Sequence, residues 1–489
     1  MNDTAWLAQR AALAVALMIG FHVLAVGVAL GLLWIPYAEW MYLDRVHGKI
    51  AFFCVATAGA LLWAVVPRPD TFEPPGPRLE EASHRELFAA IRDVAAATKQ
   101  AMPTDVFLVN EVNAWVTHRG GIMGFGSHRV MGLGLPLLQG LTISQLKAVL
   151  AHEFGHYAAG DVKLGPWIYK TRAAIGRTLA GLRESWLSFV FEAYGRMFLR
   201  LTHAISREQE FMADALAART VHPAAMAAAL QRTEGLAPAF TSYWRSEVVP
   251  ALNAGCLPPI ATGFHRFLGV EHVSAALSRI VETAAAHGES DAFDTHPPLK
   301  ERLAAIARLP QAGSVPADDP PAATLLPDVE GHARRLLEFA AGAERCRQLR
   351  RVEWEHLTTV VYPKNWRDAA AQFGPFLAKF TTDTIPSGRK AFAAAGAELA
   401  DATLAEEDDK AHRAAQVLAI GVAVVLLEAG AAPESGPGRP MLFHLSGATM
   451  DPFTAIQLLA AGKLSQADWQ AQCRAIGIAG RPLGPAAAV

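Results

Sequence analysis

The first 67 residues contain two uncharged apolar runs separated by a short polar stretch. The runs cover residues 11–38 and 50–67, and neither contains a charged side chain. Because about 20 apolar residues cross the hydrocarbon core of a bilayer, the first run can span it with tilt to spare. The second run is shorter but sufficient, and the first is too long for the apolar core of a signal peptide. The pattern therefore predicts a transmembrane helical hairpin over residues 1–67, in contact with the lipid bilayer.

Basic residues near the two runs predict which side of the membrane the rest of the chain occupies. Two spans place the N-terminus and everything after residue 67 on the same side. That side carries more flanking basic residues than the hairpin turn, and basic residues concentrate in cytoplasmic loops. We therefore expect an integral protein of the inner or plasma membrane whose main part is cytoplasmic. The residues counted are Arg10, Arg68, Arg78 and Arg85, against Arg45 and Lys49 in the turn.

A helix, a small β-sheet and a second helix are predicted after a proline-rich segment at residues 67–78. The first helix is expected over residues 79–98, followed by three β-type runs at residues 105–109, 114–118 and 129–133. The stretch from Thr142 to Gln145 has the form of a capping box, with Thr142 as N-cap and Gln145 at the third helical position. The pattern predicts that this second helix continues to about residue 159.

Residues 162–204 combine basic and aromatic side chains, and no uncharged run within them is long enough to cross a bilayer. One interpretation is a pair of amphipathic helices packed on the protein core. The other is a helical pair that lies in the membrane interface, which is typical of basic and aromatic residues on one segment. A further helix is predicted over residues 206–219.

The C-terminal part begins with a proline-rich linker at residues 310–327. Residues 328–489 are alanine-rich and mostly helical by pattern, and we find no catalytic constellation among them. Residues 414–427 are apolar, but fourteen residues in a helix reach only about 21 Å. A buried helix is therefore expected there rather than a third membrane span.

Composition narrows the class of protein. The net charge of −2 and the pI near 6.8 give no reason to expect a nucleic-acid partner. The four cysteines are scattered and form no CxxC pair, which argues against a disulfide framework and against a thiolate metal site. The oligomeric state is left open.

The five residues from His152 to His156 read HEFGH, an instance of H-E-x-x-H. Residues four apart on a helix share a face, so both imidazoles can bind one metal ion. Glu153, between them, can then hold and deprotonate a metal-bound water. Since the string falls on a predicted capped helix, it predicts a catalytic site with one Zn²⁺ per chain.

A catalytic zinc ion needs a third protein ligand. The metzincin continuation of the motif fails, because Ala159 and Val162 stand where a glycine and a histidine are required. A carboxylate on a following helix is therefore expected. The residues themselves leave five possibilities open, which are Glu184, Glu192, Glu208, Glu210 and Asp214.

Four short motifs lie in order between residues 112 and 303. They are VNAWVTHRGG at residues 112–121, LKAVLAHEFGHYAAGD at 146–161, SREQEFMADALAA at 206–218 and DTHPPLKERL at 294–303. Together they resemble the motifs of the HtpX and CAAX-prenyl-protease family of membrane zinc metallopeptidases. One departure is residues 162–204, which are charged here, whereas HtpX-type relatives carry a second hydrophobic pair.

The resemblance implies a mainly α fold with a zincin-like α+β metallopeptidase domain that contains a small β-sheet. With the apolar runs, it gives four expected parts: a transmembrane hairpin at residues 1–67, a metallopeptidase domain at 68–309 with residues 162–204 as an insertion, a linker at 310–327, and a mostly helical C-terminal domain at 328–489.

The resemblance also implies roles for site residues. Glu210 is implied as the third zinc ligand, and Asp214, one turn further, as the hydrogen-bond partner of a metal-bound imidazole. His296 is implied as a donor to the oxyanion of the reaction, and its alternative is a packing residue at the start of a helix. The residues expected to be structural or solvated instead are Arg207, Glu208, His118 and His128.

Residues Asn113, Ala114 and Trp115 offer a strand whose free edge can pair with an extended substrate backbone. The function implied is a membrane-anchored zinc endopeptidase acting on membrane-associated or misfolded proteins. Prenylated substrates are not favoured, since that activity goes with many membrane spans forming a chamber. One alternative is an intramembrane metalloprotease, against which the charges of Lys147 and Asp161 weigh. The other is a weakly or non-proteolytic zinc-binding chaperone or adaptor that works through residues 328–489, against which the intact Glu153 weighs.

Overall fold

The computed structural model describes residues 3–66, 72–120, 126–158, 161–182, 187–287, 296–311, 315–399 and 406–484. The chain is mainly helical, and its described strands form three small sheets. The helices up to residue 309 are α1 (Asp3–Leu43), α2 (Gly48–Val65), α3 (Arg85–Ala97), α4 (Leu135–Gly140), α5 (Ile143–Ala158), α6 (Asp161–Gly181), α7 (Ser188–Thr220), α8 (Pro223–Tyr243), α9 (Val249–Asn253), α10 (Ile260–Leu268), α11 (Glu271–His287) and α12 (Leu299–Ala307). The strands of this part are β1 (Arg78–Leu79), β2 (Asp105–Val109), β3 (Ala114–Arg119), β4 (His128–Gly134) and β5 (Cys256–Leu257).

The elements beyond residue 309 are shorter on average. The helices are α13 (Val329–Ala341), α14 (Ala343–Arg347), α15 (Trp354–His356), α16 (Tyr362–Gln372), α17 (Gly374–Leu377), α18 (Arg389–Gly396), α19 (Glu407–Glu428), α20 (Pro452–Ala460) and α21 (Gln466–Ile476). The strands are β6 (Arg350–Arg351), β7 (Ala432–Glu434), β8 (Leu442–Leu445) and β9 (Ala448–Met450). Short 3-10 turns lie at Ala322–Leu325 and Ala397–Leu399, and π-helical turns at Trp244–Val248 and Leu357–Val361.

The chain divides into two compact units. The first consists of Met1–Pro238 with Ala276–Ala340, and the second of Ala239–Ala275 with Ala341–Val489. These boundaries differ from the domain boundaries expected from the sequence, because residues 239–275 belong to the second unit and residues 310–340 to the first. The sequence-based boundaries stay a prediction.

In the first unit, α1 and α2 form the expected apolar hairpin, and both are long and apolar enough to cross a membrane. The packing of α1 supports that environment. It buries Ala25, Ala29 and Phe21 against the other helices and exposes further apolar side chains such as Val23 and Leu30. Apolar side chains exposed along the outer face of a helix are typical of helices surrounded by lipid.

The helices α6 and α7 pack against this hairpin. The Tyr194 hydroxyl donates to the carbonyl of Leu17 over 2.6 Å, and the Arg177 guanidinium donates to the carbonyl of Ala64 near the end of α2 over 2.9 and 3.1 Å. Apolar side chains from all four helices form one cluster. In the part that the structure describes, α6 and the first half of α7 therefore pack on the hairpin of α1 and α2, and whether they lie in the membrane interface stays a prediction.

A four-stranded sheet lies next to the helix that carries HEFGH. Its order is β1-β2-β4-β3, with β2 and β4 parallel and β3 antiparallel to β4, so β3 is an edge strand among the described residues. The three predicted strands are present. The predicted start of the first helix at residue 79 is wrong, because Leu79 is buried in β1 opposite Val106 and α3 begins only at Arg85.

The segment expected to be a linker contacts the start of α5. The backbone N–H of Ile143 donates to the carbonyl of Pro320 over 2.9 Å, and the N–H of Ala322 donates to the carbonyl of Leu141 over 2.8 Å. The Asp319 carboxylate accepts from the N–H of Ser144 over 2.9 Å. This segment is therefore packed within the first unit, and it forms hydrogen bonds with backbone groups at the N-terminus of α5.

The core of the second unit is built around α19. This helix includes the run at residues 414–427, and its buried face contacts a cluster that includes Phe392, Phe443 and Trp469. By length and composition α19 is also a candidate membrane span, but 67% of its apolar window is buried inside the protein. The burial agrees with the expected core helix.

Candidate metal centre

The helix α5 presents His152 and His156 one turn apart. Its start has the expected capping box, since the N–H of Thr142 donates to the side-chain oxygen of Gln145 over 3.1 Å and the N–H of Gln145 donates to the Thr142 hydroxyl over 3.4 Å. The helix contains all five residues of HEFGH and ends its described part at Ala158. The two imidazole rings lie with their centroids 4.8 Å apart, so both can reach one ion.

The helix α7 supplies Glu210 from the opposite side. It runs without interruption for 33 residues, so the helix predicted at residues 206–219 is the second half of a longer one. It approaches α5 closely at Gly155, where an added β-carbon would lie 2.8 Å from the Cα of Ala213. Only glycine leaves room for this contact, which brings the Glu210 carboxylate within reach of both histidines.

The three side chains form a compact set of ligand atoms. Nε2 of His152 lies 3.5 Å from one carboxylate oxygen of Glu210, and Nε2 of His156 lies 3.7 Å from the other. All three ligand atoms fall within 4.8 Å of one another. Two ligands of a tetrahedral zinc ion, each at about 2.1 Å, are about 3.4 Å apart. The set could therefore hold a metal ion of that size.

The burial of the Glu210 carboxylate supports the same conclusion. Its Oε2 accepts no hydrogen bond among the described residues and lies 3.4 Å from the Arg302 guanidinium, while Glu210 as a whole is only 4% exposed. A bound cation would further stabilise a buried carboxylate oxygen that accepts no hydrogen bond. Among the described residues, His152, His156 and Glu210 form the group of three or more potential ligand side chains that lie close enough to hold one metal ion.

Asp214 orients one of the histidines. Its Oδ1 lies 2.9 Å from Nδ1 of His152, and Asp214 is 1% exposed. A hydrogen bond from Nδ1–H to a carboxylate fixes the imidazole so that Nε2 faces the metal. The structure therefore places Asp214 beside the imidazole of His152, and its role as the partner of a metal-bound histidine stays a prediction.

Arg302 is a site residue to which the sequence analysis gave no role. Its guanidinium donates two hydrogen bonds to the Asp214 carboxylate, over 2.8 and 2.6 Å, and lies 3.4 Å from Glu210. This two-point contact is the strongest kind of arginine–carboxylate pairing. The sequence did contain a signal, because Arg302 lies within the motif DTHPPLKERL at residues 294–303.

The charges of the cluster set its protonation. Desolvation acts to raise the pKa of Glu210, but the hydrogen bond with His296 and the neighbouring His152 and Arg302 outweigh it and hold the pKa at about 2. Desolvation likewise acts to raise the pKa of Asp214. The hydrogen bonds from Arg302 and His152 outweigh it, so the pKa of Asp214 is lowered. Both carboxylates are therefore ionised, as metal ligation and its support require.

Glu153 and His296 line the same cavity as the cluster. Burial raises the pKa of Glu153, although His152 and His156 act in the opposite direction. His296 lies just before α12, and its Nδ1 is 2.9 Å from Oε1 of Glu210 while 68% of its side chain is exposed. The structure thus brings both predicted catalytic residues to the cluster, and their chemical roles remain proposals.

The predicted substrate strand reaches the cavity by only part of its length. Asn113 and Ala114 line the cavity, whereas the Trp115 side chain packs over Gly132 on the neighbouring strand. The N–H of Gly134 donates to the carbonyl of Asn113 over 2.8 Å. Since paired and unpaired residues alternate in an antiparallel ladder, the backbone groups of Ala114 point away from β4, although Ala114 as a whole is only 4% exposed.

The residues expected to be structural have other partners. Arg207 donates to Glu301 over 3.0 Å and ties α7 to α12. His118 lies 3.4 Å from the Ser127 hydroxyl, and His128 lies 3.7 Å from Asp105. Of the other carboxylates considered as third ligands, Glu192 lies 3.7 Å from Arg196 on the exposed surface, Glu208 is outside the ligand cluster, and Glu184 falls outside the described residues.

Comparison with known proteins agrees with this geometry. Residues 81–309 match the model of the family described as Peptidase family M48. The Protease HtpX homolog of Tropheryma whipplei (strain Twist) is 27% identical over 259 residues, which are 48% of this chain and 76% of the relative. Protease HtpX of Hahella chejuensis is 25% identical over 242 residues, 45% of this chain and 71% of the relative. The Protease HtpX homolog of Burkholderia mallei (strain SAVP1) is 23% identical over 259 residues, 48% of this chain and 78% of the relative.

No solved structure matches the chain. The family match covers both histidines, Glu153, Glu210, Asp214, His296 and Arg302. Residues 81–309, a little under half of the chain, are therefore similar to peptidase family M48, and HtpX proteases are among the relatives that this part resembles.

Proposed function

We propose that the chain is a membrane-anchored, zinc-dependent endopeptidase that hydrolyses peptide bonds of membrane-associated or misfolded proteins. The observation that carries the proposal is the buried set of His152, His156 and Glu210, with Glu153 lining the same cavity. A structural metal site has no use for a carboxylate beside its ligands, whereas a hydrolytic site needs one as a base.

Zinc is the metal that these residues fit best. Two imidazoles and one carboxylate are a common ligand set of catalytic zinc, with one position left for water. The spacing of the ligand atoms agrees with this set. Zinc bound there would lower the pKa of a water molecule towards 7 and polarise the carbonyl of the scissile bond.

Glu153 is the proposed general base and acid. It accepts a proton from the attacking water and delivers it to the nitrogen of the leaving amine. Burial raises the pKa of this carboxyl, which brings it closer to the working range of a group that must both take up and release a proton.

His296 and the edge strand are proposed to position the substrate. His296 donates through its ring to the oxygen that develops negative charge in the reaction, and its exposed position at the cavity makes that contact possible. An extended substrate would pair with the outer edge of β3 at Ala114 and be held by its main chain.

The two N-terminal helices are proposed to anchor the enzyme. Their outward-facing apolar side chains support insertion into a bilayer, and the flanking basic residues favour a cytoplasmic metallopeptidase domain. An enzyme held in this way would meet substrates at or near the membrane surface.

One experiment tests the proposal. The full chain, purified in detergent, is incubated with denatured casein in parallel with its Glu153→Gln variant. We expect zinc-dependent cleavage by the wild type and a loss of at least about a hundredfold in the variant, since general base catalysis contributes about that much. Equal cleavage by both proteins, or none by either, would contradict it.

A further inference from the structure

The pair formed by α6 and α7 lies against the apolar hairpin along part of both candidate spans. Leu182 and Leu187 border the connection between α6 and α7, and both are buried in one apolar cluster with side chains of α1 and α2. A β-carbon added to Gly181 would lie 4.0 Å from the β-carbon of Ala60 in α2. This end of the pair, which we call the α6–α7 end, therefore reaches past the last turn of α2 and lies beside the apolar run at residues 50–67.

The position of Ala60 sets the depth of the α6–α7 end. Ala60 precedes Val65, the last residue of α2, by five residues, or about 8 Å of helix. The 18 residues of α2 rise about 27 Å, which is close to the ~30 Å of a hydrocarbon core. A bilayer crossed by α2 would therefore surround the α6–α7 end to a depth of about 8 Å, which is typical of helices that lie in a membrane interface.

The first span is longer than the second, and its excess lies on the side of α6 and α7. The uncharged run of α1 covers residues 11–38, which is about 42 Å of helix against about 27 Å for α2. Because only four residues join the two helices at the opposite end, α1 continues beyond the end of α2. There the Tyr194 hydroxyl donates to the carbonyl of Leu17 over 2.6 Å. The rings of Phe191 and Phe21 lie 6.2 Å apart, so α7 covers one side of this excess.

Apolar side chains point outward in more than one direction at this level. On α7, Phe189 and Val190 are exposed just before the residue whose ring meets Phe21. On α1, Ile19 and Val23 are exposed, and each lies about 160° around the helix from Phe21. A single protein partner would cover one side of the hairpin, whereas apolar side chains exposed on opposite sides indicate an apolar medium around it. The bilayer that would receive α1 and α2 is such a medium.

The charged residues near the α6–α7 end limit how far it can enter. Arg177 donates two hydrogen bonds to a backbone carbonyl in the last turn of α2, over 2.9 and 3.1 Å, where a cation also meets the negative end of the helix dipole. On α7, Glu192 lies 3.7 Å from Arg196. Arg183 and Glu184 occur between the two helices in the sequence. Since charges are costly in the hydrocarbon core but tolerated at headgroup level, the pair can enter one leaflet without crossing the bilayer.

The helix α7 connects this level with the ligand cluster without a break. Its 33 residues include both Phe189 and Glu210. The 21 residues from the first to the second correspond to about 32 Å of helix. The depth of the α6–α7 end therefore sets the distance between the metal ligands and the membrane.

We propose that the α6–α7 end inserts into the leaflet beside α1 and α2 and forms a third membrane contact that does not span the bilayer. The inference rests on the proposed anchoring by α1 and α2 and adds a contact surface to it. Phe189 and Val190 meet the acyl chains, and the charged residues of the pair stay at headgroup level. The contact holds the metal centre at a fixed distance from the bilayer, so it favours cleavage of protein segments close to the membrane surface.

Fluorescent labels on single introduced cysteines test this contact. The full chain is reconstituted in vesicles of phosphatidylcholine and phosphatidylglycerol, with the label at Phe189→Cys or Val190→Cys. Val55→Cys, exposed on α2, is the membrane control, and Arg219→Cys, exposed on α7 about 45 Å beyond Phe189, is the aqueous control. The four native cysteines are buried, so the unsubstituted protein measures the labelling background.

Quenching is measured with nitroxide lipids inside the bilayer and with iodide in the water. The labels at positions 189 and 190 are expected to be quenched several-fold more by nitroxide lipids than the label at 219, and several-fold less by iodide. A nitroxide near the headgroup should quench them more strongly than one near the end of the acyl chain. The label at position 55 should show the opposite order of the two nitroxides. Bound zinc, measured in each labelled protein, identifies a variant that has misfolded, and the second position on α7 then decides.

The outcomes separate the contact from the anchoring. If the labels at 189 and 190 behave like the label at 219 while the label at 55 is quenched by lipid, the contact is overturned and the anchoring stands. Labels at 189 and 190 that neither quencher reaches would mean that protein covers this surface, which also overturns the contact. If iodide quenches the label at 55 as well, the anchoring fails and the contact fails with it.

Discussion

The imidazole of His152 and the carboxylate of Asp214 lie 2.9 Å apart, and Arg302 holds that carboxylate from the other side with two hydrogen bonds. The chain from Arg302 through Asp214 to His152 connects three separate helices at the ligand cluster. It also keeps a fully buried carboxylate ionised, because two donors offset the loss of water. The orientation of one metal ligand therefore depends on a residue 150 positions away in the sequence.

The first prediction concerns metal affinity. Asp214→Asn keeps the shape of the side chain but removes its charge, which weakens the orientation of His152. Loss of such a partner typically reduces metal affinity by about 10- to 100-fold. Zinc titration against a competing chelator measures the change. Glu208→Gln, on the same helix but outside the ligand cluster, should bind zinc like the wild type, and equal affinities for all three proteins would refute the role of Asp214.

The second prediction concerns the contact between the two helices of the site. Gly155→Ala places a methyl group against the backbone of Ala213, and overpacking of this kind costs about 1–3 kcal/mol. We expect a lower unfolding temperature and weaker zinc binding. Gly176→Ala in α6 is the matched control, since a β-carbon there meets nothing within 4 Å. If the two variants behave alike, the close approach is not what brings Glu210 to the histidines.

The sequence predicted the parts of this site that depend on local signals. The strands at residues 105–109, 114–118 and 129–133, the capping box at Thr142 and the pair His152–His156 all follow from patterns within a few residues. Glu210 and Asp214 came from the family resemblance, because five carboxylates were equivalent by spacing alone. What the sequence could not provide were contacts between distant segments. The pairing of Leu79 with Val106 and the bond from Arg302 to Asp214 are of this kind.

The third prediction concerns the segment between α12 and α13. The Asp319 carboxylate accepts from the N–H of Ser144 at the start of α5, and loss of a helix cap costs about 1 kcal/mol. Asp319→Ala should therefore lower the unfolding temperature of the first unit. The neighbouring exposed Asp318 supplies the control, Asp318→Ala. A result in which both substitutions have the same small effect would mean that the segment does not stabilise the metal helix.

The fourth prediction concerns pH. His332 on α13 is 1% exposed and its Nε2 lies 3.1 Å from Nε2 of His84. The pKa of His332 is lowered to about 4, mainly by desolvation and further by the nearby Arg335 and His84. The negative charge of Asp328 acts to raise this pKa but only partly offsets the other effects. Between pH 6.5 and 4 the unfolded chain binds a proton that the folded chain does not. Stability is therefore full above pH 6.5 and falls as the pH drops towards 4, by up to about 3 kcal/mol.

Thermal unfolding from pH 7 to pH 4 measures this dependence. His332→Gln keeps a polar partner for His84 but cannot be protonated, so its unfolding temperature should fall less over that range than the wild type's. His272→Gln, at an exposed position on α11, should retain the full dependence. If the unfolding temperature of His332→Gln falls with pH as steeply as that of the wild type, the buried histidine pair is not the cause of the pH dependence.

If His152, His156 and Glu210 hold a catalytic zinc ion on which Glu153 acts, bound zinc and casein cleavage must respond differently to two substitutions. Both are measured together in the wild type, Glu210→Gln and Glu153→Gln. We expect that Glu210→Gln loses both zinc and cleavage, whereas Glu153→Gln keeps zinc and loses cleavage. Full zinc binding and full cleavage in Glu210→Gln would contradict it.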